Sequence, residues 1–114
     1  MVAECEDGYG SEEFYQTFAA NRTIEDILLS IKAKTAHETT LDQWQVQILA
    51  EVLSRNRVIL VSRAPDNVVK QLRMTPARTI NEALILAAEF LNKDNGTITL
   101  IPQGNSIVIK ENKL

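Results

Sequence analysis

Apolar residues keep a helical period along the first half of the chain and then change to short unbroken runs. Ser11 stands before Glu12 and Glu13, a cap followed by charges that suit the positive end of a helix dipole. Phe14 and Phe18 then fall four apart on one face. Thr23 opens a second helix with Asp26 three residues on, a relative of the capping box, and Ile24, Ile27, Leu28 and Ile31 form its stripe. The linker AKTAHETT is polar and short. A third helix starts at Thr40 with Gln43 as return cap, and Leu41, Trp44, Ile48, Leu49 and Val52 are its expected buried face.

At RVILVS the period changes: Val58 to Val61 are consecutive apolar β-formers, the pattern of a strand buried on both faces in a parallel sheet. Pro65 suits the first turn of a short helix carrying Val68, Val69 and Leu72. MTPAR is a brief extended piece, because Pro76 disfavours helix before it. Thr79 and Glu82 form a capping box for a helix striped by Ile80, Ala83, Leu84, Ala87, Ala88 and Leu91. DNGT is a turn, TITLIP alternates into a strand, QGN turns again, and SIVIK returns as its hairpin partner. Lys110 and Lys113 give that last strand the charged finish of a protected edge. With Met1-Val2-Ala3 as a very short first strand, the rhythm predicts a single α/β domain over 1–114. Its expected architecture is a Rossmann-like three-layer sandwich with a partly parallel sheet and an antiparallel C-terminal edge hairpin.

Composition narrows the function. The chain of 114 residues is 45 % hydrophobic and 24 % charged, which supports one folded core and argues against disorder. A net charge of −3 speaks against a nucleic-acid surface, and no run reaches the length of a membrane span. Cys5 is alone, so no internal disulfide forms, which fits a reducing cytoplasm.

The candidate chemistry is sparse. Gly8-Tyr9-Gly10 lacks the third glycine and the lysine of phosphate-binding loops, and Glu4, Glu6, Asp7, Glu12 and Glu13 around it repel phosphate. The same acids lack the spacing of a calcium loop. Cys5 and His37 are two soft ligands where a structural zinc site needs four, and they read as a small strand-end residue and a solvated loop residue. Trp44 has two readings: part of the helix's core stripe, which the spacing favours, or an indole projecting from the helix start into a cleft.

The order AECEDGYGSEEFY, DQWQVQILAEVLSRNRVILVS, PARTINEALILAAEF, ITLIPQG resembles the C-terminal domain of the nickel-dependent lactate racemase family, from Ala3 to about Gly104. In that family the stretch follows a strand inside a longer, two-domain protein. The resemblance implies an enzyme that interconverts enantiomers of lactate or other small 2-hydroxy acids by reversible hydride transfer. It implies a nickel pincer nucleotide tethered to a lysine, with a histidine on the nickel and a histidine pair as acid and base. Those groups belong to the N-terminal catalytic domain, so His37 takes none of the roles. This chain is then a lid domain that binds no cofactor by itself, is inactive alone, and has the N-terminal domain as its partner. The residue carried over is Trp44 of the D-Q-W motif, lining the substrate and cofactor cleft, with Asp42 and Gln43 as weaker neighbours. Gly8-Tyr9-Gly10 also matches the family and falls near the domain interface. The competing reading is a stand-alone α/β binding or interaction module without catalysis, which would cover its apolar face by dimerising.

Overall fold

The computed structural model describes residues 1–93, 95–108 and 110. The elements run α1 (Glu12–Ala19), α2 (Ile24–Ala33), a 3-10 turn (Ala36–Glu38), α3 (Gln43–Arg55), β1 (Ile59–Val61), α4 (Asp66–Gln71), β2 (Thr75–Ala77) and α5 (Ile80–Leu91). β1 and β2 pair in parallel, Ile59 opposite Thr75 and Val61 opposite Ala77. On the other side of β1 the chain start runs parallel to it through a Val2–Val61 bridge. Val61 N–H donates to Met1 O at 2.9 Å there, and Ala3 N–H donates to Val61 O at 3.1 Å. The apolar run at 58–61 thus becomes the central strand, as its lack of polar alternation predicts.

Side-chain alternation along β1 places helices on both faces of the sheet. Leu60 joins Phe18, Ile27, Val46, Ala50, Val69 and Leu72 in one core against α1–α4. Ile59 points the other way, towards Ala87 and Phe90 of α5. Phe18 and Ile27 have no exposed surface, and the Phe14 and Phe18 rings meet tilted at 5.3 Å.

The helix starts follow their local chemistry. Ser11 Oγ accepts from Phe14 N–H at 3.2 Å, and Thr23 with Asp26 closes a reciprocal capping box at 3.1 Å in each direction. Thr79 Oγ1 accepts from Glu82 N–H, whereas the Glu82 carboxylate takes the Arg78 N–H at 2.6 Å, one residue earlier than the expected box. The polar linker contains a further cap: the Glu38 carboxylate accepts from both the backbone N–H and the hydroxyl of Thr35. Two arginines stitch distant segments. Arg73, held at φ 63°, donates to the carbonyls of Phe18, Ala20 and Arg22 around the C-terminal end of α1. Arg78 donates to the carbonyls of Ser62 and Ala64 and pairs with Asp66.

Three expectations are corrected. The helix expected from Thr40 begins at Gln43, after Asp42 in the left-handed region, and its buried line is Val46 and Ala50. Leu41, Trp44 and Ile48 are 74 %, 64 % and 55 % exposed. Both lines have a helical period, and α3 turns the smaller one towards α2, where Ala50 permits close approach. In α5 the half-buried side chains include Ala83, Leu86, Ala87 and Phe90, while Ile80, Leu84 and Leu91 of the expected stripe are exposed. The antiparallel hairpin is absent among the described residues: 97–101 and 107–108 carry no strand pairing, and Ser106 N–H donates to Gln103 O in a turn. Thr75 and Ala77 spend their backbone groups on β1, so the outer edge of β2 offers Pro76, which has no N–H to donate. The part of the hairpin at Ile109 and the edge residue Lys113 lie outside the described residues.

Candidate functional site

The extended segment around Val2 must turn sharply to enter α1, and the glycines of ECEDGYGSEE make that turn. Gly8 and Gly10 sit at φ 99° and 94°, and Gly8 N–H donates to Cys5 O at 3.3 Å. A Cβ on Gly10 would meet Phe14 Cδ1 at 2.8 Å, so this position excludes a side chain on two grounds. Cys5 itself is at φ 61°, with its thiol towards Ala3 O at 3.6 Å. The opening stretch is therefore a strand-to-helix turn, and it places Cys5 and Tyr9 beside the first turns of α3.

Between that turn and α3 lies an apolar cavity of about 440 Å³. Trp44 stands at its mouth, Ile48 and Val52 continue its wall along α3, Phe14 and Tyr9 face them, and Leu60 lies at its floor. The volume is within the range of small-molecule pockets, and the few polar groups on its wall include Cys5, Tyr9 and Gln45. A smaller cavity of about 180 Å³ adjoins it, sharing Cys5, Tyr9 and Ala64 and adding Glu4, Glu6 and Arg63. Arg63 Nε lies 3.3 Å from the Glu4 carboxylate, and both side chains are well exposed. This second space lies at the carboxyl ends of the parallel strands, the usual position for ligands in open α/β sheets.

Of the residues singled out in the sequence, Trp44 is on the wall of the large cavity, while Asp42 and Gln43 are half-buried at the start of α3 and not on that wall. Gln43 accepts from Thr40 N–H at 3.4 Å, a capping role. His37 is exposed in the 3-10 turn. Tyr9, Phe14, Ile48 and Arg63 also border the cavities, and the sequence marks none of them as a site residue, because only the fold joins positions so far apart along the chain. Among the described residues no three His, Cys, Asp or Glu side chains gather to hold a metal ion, and no helix is long and apolar enough to cross a membrane.

The geometry is that of an α/β domain with an apolar cavity beside an exposed tryptophan. The family model for the lactate racemase C-terminal domain matches residues 1–109, and the chain belongs to that family. It is 38 % identical over 112 residues to the lactate racemase of Thermoanaerobacterium thermosaccharolyticum, covering 97 % of this chain and 26 % of that protein. It is 32 % identical over 111 residues to the lactate racemase of Lactiplantibacillus plantarum, covering 96 % of this chain and 26 % of that one. The solved lactate racemase apoprotein from T. thermosaccharolyticum superposes with a TM-score of 0.90 over 96 % of this chain and 26 % of the other. The match thus occupies about a quarter of each relative's length.

Proposed function

We propose that this chain works as the C-terminal domain of a cytoplasmic racemase or epimerase of 2-hydroxy acids. In this reading the sheet continues a Rossmann-like sandwich, and the Trp44 face forms one wall of a cleft closed against a catalytic N-terminal domain. What supports it is the family match over residues 1–109 together with an apolar wall of α3 exposed beside a cavity. Exposure of Trp44 and Ile48 makes sense where a second body faces them, since a helix face of this kind is costly to leave in water.

The cofactor that the resemblance implies is a nickel pincer nucleotide. The wall around Trp44 is aliphatic and aromatic, and no metal-holding cluster stands among the described residues. These residues do not fit as holders of the nickel. The chain's own contribution is binding and exclusion of water: an indole and branched aliphatic side chains lower the local dielectric at the cleft wall and fit a flat or apolar group.

The testing experiment is racemisation of L-lactate, followed by chiral chromatography, by the whole protein that carries this domain in its source cells. Trp44→Ala is expected to lower kcat/KM by about tenfold or more, the 114-residue chain alone to be inactive. Racemisation by the chain alone, or full activity without the indole, overturns the reading. If the chain acts as a module of its own, the exposed α3 and α5 faces would be covered by a second copy. A stable dimer with no heavier parent on an immunoblot would then replace the racemase reading.

A further inference from the structure

An asparagine loses its side-chain amide when the backbone nitrogen of the next residue reaches its Cγ. A folded chain blocks this by bonding that N–H to an acceptor or by holding the side chain itself. Arg22 N–H, which follows Asn21, donates to Ala20 O at 2.8 Å, and Val68 N–H, which follows Asn67, donates to Pro65 O at 3.0 Å. Lys93 N–H, after Asn92, donates to Ala88 O, and Ser106 N–H, after Asn105, donates to Gln103 O. Glu82 N–H, after Asn81, donates to Thr79 Oγ1 at 3.1 Å. Asn56 is held by its own side chain, whose Nδ2 donates to Val52 O at 3.2 Å. The related pair Asp7-Gly8 is tied in the same way, with Gly8 N–H donating to Cys5 O. Asn112 lies outside the described residues.

Asn95 differs from all of these. It is exposed in irregular chain after α5, and among the described residues Gly96 N–H has no hydrogen-bond partner. The space around Gly96 is open, since a Cβ built there meets nothing within 4 Å. With no side chain on Gly96, its nitrogen turns towards Asn95 without steric hindrance.

We propose that Asn95 is a modification site at which the chain converts its own side-chain amide to a carboxylate. Gly96 N gives its proton to a base and attacks Asn95 Cγ. The new N–Cγ bond closes a cyclic imide as the Cγ–Nδ2 bond breaks, and the leaving nitrogen takes up a proton and departs as ammonia. Water then opens the imide, its hydroxyl going to a carbonyl carbon and its proton to the ring nitrogen. Breaking the N–Cγ bond gives aspartate. Breaking the bond from nitrogen to the backbone carbonyl carbon gives an isoaspartyl link, in which the chain runs through Cβ and Cγ. The balance is one water consumed and one ammonia released. The product adds one negative charge to a chain of net charge −3, beside Leu84, Leu91 and Ile98. It stands just past the carboxyl end of α5, whose dipole opposes it, and the isoaspartyl form also lengthens the link to 97–101.

The test incubates the chain in mildly alkaline buffer made with heavy-oxygen water, digests samples with trypsin in ordinary water, and reads the peptides by fragmentation mass spectrometry. The peptide from Asp94 to Lys110 is expected to gain one heavy oxygen at Asn95, as a pair of products separable by chromatography, before any other described asparagine reacts. Gly96→Ala should slow the change several-fold. The added methyl group enters open space, so the variant folds, and circular dichroism verifies this. Guanidinium chloride should speed the reaction at Asn21 and Asn105 and leave Asn95 nearly unchanged, because only the first two have the following N–H bonded in the folded chain. Another described asparagine reacting as fast as Asn95 in the folded chain overturns the proposal. So does an Asn95 rate that rises in denaturant as much as that of Asn105, or a Gly96→Ala variant as fast as the parent.

Discussion

The two faces of the β1–β2 sheet are both covered by apolar helices and end in different states. On one face α1–α4 bury Phe18, Ile27, Ala50 and Val69 almost completely. On the other, α5 is the one helix among the described residues, buries no residue fully, and leaves Ile80, Leu84 and Ile85 in contact with water. The residues beyond it continue the pattern, with Ile98 at 71 % and Leu100 at 86 % exposure. Apolar content sets how much surface an element has to hide; the number of neighbours decides how much is hidden. Truncation separates the two. Phe18→Ala should cost about 3–5 kcal/mol in a denaturant titration, the range for emptying a packed aromatic site. Ile85→Ala should cost less than about 1 kcal/mol, because most of its surface is already in water. Equal losses would mean that α5 is covered in solution, and the comparison between the faces would collapse.

Arg73 extends the contrast to helix ends. α1 has no basic residue in its last turn, and Arg73 supplies a cation there from the α4–β2 turn through three carbonyl contacts of 2.8–3.0 Å. α5 also lacks a basic residue in its last turn and ends instead on Asn92 in the left-handed region. Arg73→Ala should destabilise the chain by about 2 kcal/mol, since it removes three charge-assisted bonds, one of them to the part-buried carbonyl of Phe18. Arg73→Lys should recover only part, because an ammonium cannot fork across three acceptors. Full recovery would reduce the role to charge alone.

At the opening turn a smaller loss is expected. Gly10→Ala should cost about 1–2 kcal/mol from the positive φ, raised somewhat by the push against Phe14. Gly8→Ala isolates the backbone share, since a Cβ on Gly8 meets nothing within 4 Å. If both cost the same, Phe14 yields freely and the close approach at Gly10 carries no energy.

Legibility followed the range of the interactions. The starts at Ser11, Thr23 and Thr79 could be read because a cap involves neighbours three residues apart. RVILVS and MTPAR were readable as strands because a continuous apolar run and a proline constrain the backbone locally. The face of α3 was not, since 44–48–52 and 46–50 share one period and only the position of α2 chooses between them. The C-terminal alternation suggested a hairpin, yet among the described residues 97–101 and 107–108 carry no strand pairing, because alternation alone does not supply a partner. Trp44 drew notice by its motif, whereas its neighbours Cys5, Tyr9 and Phe14 in the cavity meet it through the turn at Gly8 and Gly10.

The smallest effect expected is a pH dependence carried by caps on the well-packed side. The Thr23 side chain, and then its backbone N–H, hold the Asp26 carboxyl below its ordinary value. The Thr35 backbone N–H, and then its hydroxyl, do the same for Glu38. A carboxyl depressed in the folded chain binds fewer protons there than in the unfolded chain at the same pH. Its contribution to stability is therefore complete above the unfolded value, near pH 4, and is lost as pH falls through the folded value. Both groups lie at the surface, where solvent and salt limit the effect. Thermal midpoints measured from pH 7 down to pH 3 should fall for the parent chain and fall less for Asp26→Asn, which keeps an acceptor and cannot titrate. The two profiles should differ most below about pH 4 and should converge when salt is raised. Parallel profiles would show that the box at Thr23 is equally present in the unfolded chain, as a local motif of four residues can be, and would take Asp26 out of the acid response altogether.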